Sequence, residues 1–133
     1  MTLALSTDGL TKTYSNNLAA LKGIDLRVQK GDFFALLGSN GAGKTTAIGV
    51  ICGLLKATSG TVKVNGLEQK KHISEVKRMI GLMPQEFNFN PHQPNIEILT
   101  TSAGYFGMTR DKSILRAELL LKKMELWDRR FDV

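Results

Sequence analysis

The clearest chemical signal in the sequence is a run of eight residues, 38–45. They read Gly-Ser-Asn-Gly-Ala-Gly-Lys-Thr and fit the spacing G-x-x-x-x-G-K-[ST] without a gap. A loop of this kind turns its backbone N–H groups inward and forms a concave site for an anion. The lysine and threonine at its end supply a cation for phosphate groups and a hydroxyl for Mg²⁺. The spacing therefore predicts a site that holds a nucleotide phosphate.

The segments on either side of this loop must position it. Residues 33–37 are five consecutive apolar residues, which predicts a strand buried on both faces of a parallel sheet. The helix predicted after the loop directs its positive end at the phosphates. We expect Lys44 to reach the β/γ-phosphates and the Thr45 hydroxyl to hold Mg²⁺. The inward face of this helix is predicted from apolar residues at helical spacing: Ile48, Ile51, Cys52 and Leu55.

Alternation of apolar and polar residues predicts strands before and after this core. Residues 21–28 alternate, and the loop 15–17 separates them from an earlier strand containing Leu10 and Tyr14. Residues 61–64 also alternate, and the following Asn-Gly pair is a strong hairpin signal. Residues 81–83 predict a further brief strand.

Three later segments have a helical period. The predicted inward faces are Ile73, Val76 and Ile80 in the first helix; Leu99, Ser102 and Phe106 in a second, capped by Asn95; and Ile114, Ala117, Leu121 and Met124 in a third, capped by Asp111.

Bulk properties exclude several classes of protein. The chain has 133 residues, 42% of them hydrophobic, and its longest apolar runs of about five residues are far shorter than a bilayer span. The single cysteine, Cys52, excludes an internal disulfide and suits a reducing compartment. The net charge is +6, but the basic residues are scattered, so we expect a solvated surface and no nucleic-acid partner. His72 and His92 lack metal-ligand spacing and are expected at the surface.

Taken together, these features resemble the N-terminal half of an ABC-type ATPase, the motor subunit of ABC transporters. Tyr14 stands where that family carries an aromatic residue that stacks on adenine, and the loop, extended to Thr46, looks like the family's own version. Residues 81–85 are similar to its Q-loop, and Gln85 lies 41 residues after Lys44. The resemblance implies ATP contacts at Tyr14, Gly38, Ser39, Asn40, Gly41, Ala42, Gly43, Lys44, Thr45 and Thr46, and Mg²⁺ contacts at Thr45 and Gln85, the latter also touching the attacking water.

The resemblance also implies a fold and a division of the chain. The expected class is α/β, a P-loop NTPase of the ABC type with an N-terminal antiparallel β piece, a partial helical subdomain and an incomplete core sheet. The expected parts of this single truncated domain are residues 1–31, the β piece; 32–85, the phosphate-loop core; and 86–133, the start of the helical subdomain. Residues 84–90 and 103–107 look most like bacterial ABC-2-type export ATPases.

Several residues that the family uses for hydrolysis do not occur in this sequence. They are the signature motif of the Leu-Ser-Gly-Gly-Gln type, the Walker B aspartate, the catalytic glutamate beside it and the switch histidine, all of which follow the Q-loop in the family. Without that glutamate no base orients water at the γ-phosphate. We therefore expect no catalytic residue here, and a chain that binds ATP but does not hydrolyse it alone. Since the predicted strand at 33–37 would have an open edge, we also expect the chain to be marginally stable, swapped or rearranged.

The implied parent protein is the ATPase subunit of an exporter. It would bind ATP and Mg²⁺, pair with a second ATPase subunit and act on a membrane-spanning permease, from the cytoplasm at the inner face of the cell membrane. A soluble ABC ATPase without a membrane partner and an inactive nucleotide-binding fragment remain alternatives. The pattern of Tyr14 and Gln85 argues against a small-molecule kinase.

Overall fold

A computed structural model describes residues 3–83 and 89–133. The chain divides into two units, Met1–Leu82 and Met83–Val133. The first unit holds the phosphate loop, all strands of the described residues and two helices. The second holds two longer helices and a short 3-10 turn. The three-part division at residues 31 and 85 stays a prediction.

The sheet of the first unit has four strands in the order β2-β1-β3-β4, and every neighbouring pair is antiparallel. The alternating pattern of the second strand places Leu21 in the core and Lys22 at the surface, as predicted. The strands are β1, Leu3–Thr13; β2, Ala19–Gln29; β3, Ser59–Val64; and β4, Leu67–Glu68.

The predicted hairpin is confirmed. Asn65 and Gly66 join β3 to β4 with φ angles of 48° and 83°, and Val64 pairs with Leu67 across the turn. Positive φ at both central residues is the geometry that Asn-Gly favours, because it follows the twist of the strands.

Two helices pack onto this sheet and complete the core. Helix α1 spans Lys44–Ile51 and α2 spans Ile73–Met79. Their buried residues join those of the strands in one apolar cluster: Leu10, Leu21, Ala47, Val50, Val62, Val64 and Val76. The predicted inward face of α2 is right at Val76, whereas Ile73 is 40% exposed.

The predicted inward face of α1 is right only in part, because Ile51 and Leu55 are partly buried against the core whereas Ile48 is not. Ala47 and Val50 are buried, while Ile48 is 43% exposed. Residues 47–52 are apolar or small on every side of the helix, so a 3.6-residue period does not determine which side packs inward. The side that carries Ala47 and Val50 is buried because these two residues join the core cluster formed with the strands.

The predicted strands at 33–37 and 81–83 are also wrong. Both segments are without strand pairing, and Phe33 and Leu37 are 100% and 88% exposed. The described sheet is entirely antiparallel and offers no parallel neighbour to either segment. An apolar run predicts burial only where such a neighbour exists.

The second unit consists of α3, Asn95–Tyr105, α4, Arg110–Lys123, and a 3-10 turn, Trp127–Arg129. Among the residues of this unit that the structure describes, the buried side chains come from α4 and are Ser113, Ala117 and Leu121. Two of the predicted inward residues, Ile114 and Met124, are 38% and 68% exposed.

Both predicted helix caps in this unit are wrong. The N-cap residues are Pro94 and Thr109, one or two positions before the predicted Asn95 and Asp111. Asn95 is instead the first helical residue, and its side-chain Nδ2 donates to the carbonyl of Arg129 at 2.8 Å. Its side chain therefore ties the start of α3 to the 3-10 turn.

Candidate phosphate-binding site

The phosphate loop begins at residue 38 and leads directly into α1, which begins at Lys44. Gly43 is the N-cap residue, with φ 87° and no side-chain cap bond, and the carbonyl of Gly43 accepts the first helical bond from the amide of Ala47 at 2.8 Å. A Cβ at Gly43 would collide with the Ala20 carbonyl oxygen and approach Leu21 Cδ2 to 3.0 Å. Glycine is therefore required here for two reasons, the left-handed backbone and the close approach to β2.

Lys44 folds its ammonium group back over the loop. Its Nζ donates to the carbonyl oxygens of Gly38 and Ser39 at 2.6 and 2.7 Å. These bonds hold a positive charge at the mouth of the loop, next to the N-terminal amides of α1, which have no acceptors within the helix. An anion entering the loop meets this charge and the helix dipole together.

Tyr14 lies in the turn between β1 and β2, just beyond the strand predicted to contain it. Its amide donates to the Leu18 carbonyl at 2.9 Å, and its carbonyl accepts from the Asn17 amide at 3.0 Å. Its hydroxyl is 3.1 Å from the Thr46 hydroxyl, a hydrogen-bond distance in which either oxygen can donate. The structure thus brings together the aromatic side chain and the helix that follows the phosphate loop, which are 32 residues apart in sequence.

A cleft of about 410 Å³ lies between β2 and the loop. That volume is within the range of small-molecule sites. The sequence predicted the part of this cleft that the phosphate loop forms, but not the part that β2 forms. The alternating residues of β2 predict only which side chains are buried, and they include no binding motif. The lining residues are Ala19, Ala20, Leu21, Lys22, Gly23, Ile24, Gly41 and Ala42.

Of the two residues predicted to contact Mg²⁺, only Thr45 lies within the described residues. Thr45 is exposed at the start of α1. Gln85 lies outside the described residues. Within residues 3–83 and 89–133 there is no group of three or more His, Cys, Asp or Glu side chains that could hold a metal ion. A single hydroxyl still fits Mg²⁺, which is commonly held by few protein ligands together with substrate phosphates and water.

Cys52, Glu68, His72 and His92 are not among the residues that line this cleft. Cys52 is half-buried at the end of α1, and burial raises the pKa of its thiol. The Lys71 ammonium beside Glu68 lowers the pKa of that carboxyl. His72 and His92 are exposed, as predicted.

With this geometry in place, comparison with known proteins identifies the family. The family model described as ABC transporter matches residues 21–132. The chain belongs to the ABC transporter family. It is 39% identical to the putative hemin import ATP-binding protein HrtA of Staphylococcus aureus strain MRSA252 and 34% identical to the linearmycin resistance ATP-binding protein LnrL of Bacillus subtilis strain 168, with 96% of the chain covered in each case.

Solved structures of this family have the same fold. An ATP-binding subunit of an ABC transporter superposes with a TM-score of 0.81 at 27% identity over 98% of the chain. The ATP-binding cassette MJ0796, a dimer bound to ADP and Pi, superposes with a TM-score of 0.78 at 27% identity over 96% of the chain. The predicted α/β fold of an ABC-type P-loop NTPase is therefore confirmed.

The chain is shorter than these proteins. It spans 61% of the staphylococcal relative and 41% of the Bacillus relative. It spans 53% and 60% of the two solved chains. Among the described residues, no helix is both long and apolar enough to cross a membrane.

Proposed function

We propose that this chain is the ATP-binding part of the ATPase subunit of an ABC transporter that works as an exporter. The observation that carries the ATP-binding part of this proposal is the placement of the Lys44 ammonium, held by the Gly38 and Ser39 carbonyls at the N-terminus of α1, and the transporter part rests on the family match. A bound phosphate would accept from this ammonium and from the loop amides in place of the carbonyls.

The residues around the loop fit ATP with Mg²⁺. We propose that Thr45 supplies its hydroxyl to the metal and that Gln85 completes the contact. Tyr14 would stack on adenine, since its ring lies in a turn connected to Thr46. The contacts proposed for the phosphates are those of the loop itself: Gly38, Ser39, Asn40, Gly41, Ala42, Gly43, Lys44, Thr45 and Thr46.

The proposed partners are a second ATPase subunit and a membrane-spanning permease, with the subunit at the cytoplasmic face of the membrane. Support comes from the family match and from MJ0796, whose cassette forms a dimer. We further propose that this chain alone does not hydrolyse ATP, because its sequence contains no residue matching the family's catalytic glutamate.

The first experiment measures ATP binding by calorimetry and phosphate release for the 133-residue chain. We expect binding that requires Lys44, no turnover, and loss of binding in Lys44→Ala. The matched control is Lys30→Ala, which removes the same charge from an exposed position outside the loop. Binding that persists in Lys44→Ala would reject the proposed site. Turnover that depends on Lys44 would reject the proposal that the chain is inactive alone.

The direction of transport needs a separate test in the parent organism. The names of the two relatives do not agree on a direction of transport, since one refers to hemin import and the other to linearmycin resistance. We propose export, so disruption of the parent gene should raise sensitivity to the exported compound. Linearmycin and hemin are the first two compounds to try. Reduced hemin uptake in the disrupted strain would contradict export.

A further inference from the structure

Lys12 lies next to the turn that holds Tyr14. Its Nζ lies over the Tyr14 ring, 5.3 Å from the ring centroid. The same Nζ donates to the Lys56 carbonyl oxygen at 2.8 Å. The cation is therefore fixed on one side by a backbone acceptor and on the other by an aromatic face, which attracts it electrostatically.

The end of β1 is attached to the segment after α1 by further hydrogen bonds. The Thr13 amide donates to the Thr58 hydroxyl at 2.9 Å, and the Thr58 amide donates to the Thr11 carbonyl at 2.9 Å. The Thr11 and Ser59 hydroxyls are 2.7 Å apart. Lys12 thus lies in a junction that several hydrogen bonds join, and its ammonium has a backbone acceptor without any ligand.

The Tyr14 ring is consequently restrained at both ends. Its hydroxyl is held by Thr46 and one of its faces by the Lys12 ammonium. A side chain that is already fixed loses less conformational entropy when a flat ligand stacks on it. A cation on one face also leaves the opposite face as the one that a base can use.

We propose that Lys12 is a positioning residue for base stacking, holding the Tyr14 ring in the orientation in which it accepts the adenine of ATP. This inference rests on the proposed function. It assigns Lys12 no contact with ATP, and it confines the effect of Lys12 to ligands that carry a base.

The test compares ATP with inorganic tripolyphosphate, which offers three linked phosphates without the ribose and the base. Dissociation constants of both ligands are measured for the 133-residue chain and for Lys12→Met, Lys12→Arg and Lys30→Met. Methionine keeps an unbranched side chain one atom shorter than that of lysine and removes its charge, arginine keeps the charge, and Lys30 is an exposed lysine elsewhere on the surface. Midpoints of thermal unfolding are recorded for each variant without ligand.

We expect Lys12→Met to weaken ATP binding about two- to fivefold and to leave tripolyphosphate binding unchanged. Lys12→Arg should bind ATP like the unmodified chain, because guanidinium also binds an aromatic face. Unchanged ATP affinity in Lys12→Met, an equal loss for both ligands, or a loss in Lys12→Arg as large as in Lys12→Met would each overturn the inference. Failure of the proposed function is seen separately, as ATP binding that survives Lys44→Ala.

Discussion

At the scale of single residues, the loop glycines have different reasons for being glycine. Gly41 and Gly43 have nearly the same φ, 85° and 87°. A Cβ at Gly41 would meet no atom within 4 Å, whereas one at Gly43 would strike the Ala20 carbonyl. A residue with a side chain would therefore have a strained backbone at either position, and its Cβ would also collide with a neighbouring atom at Gly43.

This difference predicts unequal effects of two alanine substitutions. Gly41→Ala should lower the free energy of unfolding by about 1–2 kcal/mol, the cost of a left-handed L-residue. Gly43→Ala should cost more, because the backbone of the loop must also move away from β2. Urea unfolding of both variants measures the two costs, and tripolyphosphate binding shows whether the loop keeps its shape. Equal losses of stability would mean that the contact with Ala20 has no energetic weight.

Cys52 provides a test of burial at the end of α1. Burial raises the pKa of its thiol, so less thiolate is present at a given pH than in an exposed cysteine. Alkylation by iodoacetamide should therefore be slower in the folded chain than in the urea-unfolded chain, and its rate should keep rising at pH values where the unfolded chain has reached its plateau. Measured rates from pH 7 to 10.5 check this. Coinciding pH profiles would show that the thiol is not desolvated.

At the scale of elements, the C-terminal end of α1 is held by a residue that the sequence did not single out. Gln69 follows β4, and its Nε2 donates to the carbonyl oxygens of Val50 and Ile51 at 2.8 and 2.6 Å. Carbonyls in the last turn of a helix lack the amide partners that interior carbonyls have. The Val50 carbonyl also accepts from the Gly53 amide at 3.0 Å, so Gln69 adds a second donor there. The hairpin thus stabilises the helix that begins at the phosphate loop.

Replacing that donor should destabilise the first unit. Gln69→Glu removes both hydrogen bonds and puts a negative charge at the negative end of the helix, so we expect a loss of about 2–3 kcal/mol in the free energy of unfolding. Gln93→Glu is the matched control, since the side chain of Gln93 makes no hydrogen bond within the described part of the chain. Chemical denaturation of both variants gives the comparison. Similar losses in the two would rule out a specific role for Gln69.

Elements were predictable from sequence where a local rule decides the backbone. Asn65 and Gly66 determine their own turn, and the glycines and Lys44 indicate their loop through spacing alone. The orientation of α1 was not predictable, because Ile48 and Val50 are both apolar and only contact with the sheet distinguishes them. The link from Tyr14 to Thr46 and the cap at Gln69 escaped prediction for a similar reason, since both join segments that no periodic pattern connects.

At the scale of the whole molecule, the apolar segment 33–37 is only partly accommodated, because Leu36 packs against the core while other side chains of the segment are exposed. Phe33 is fully exposed, Phe34 is 49% exposed and Leu37 is 88% exposed. An exposed apolar segment without strand partners can pair with the same segment of another molecule. The expectation from the sequence that the chain is marginally stable, swapped or rearranged therefore remains a prediction. The exposed segment 33–37 is the place where we expect such an association to begin.

We expect the purified chain to associate with itself as its concentration rises, and we expect Phe33→Ser to weaken that association. The substitution should not lower the free energy of unfolding, because the Phe33 side chain is fully exposed in the folded chain. Phe131→Ser is the control, since Phe131 is a phenylalanine of the second unit that is also exposed, at 66%. Sedimentation velocity over a range of concentrations measures association, and urea unfolding measures stability. A chain that stays monomeric throughout and unfolds in one sharp transition would show that the exposed segment carries no tendency to associate, and that antiparallel sheet and helices suffice for a stable unit.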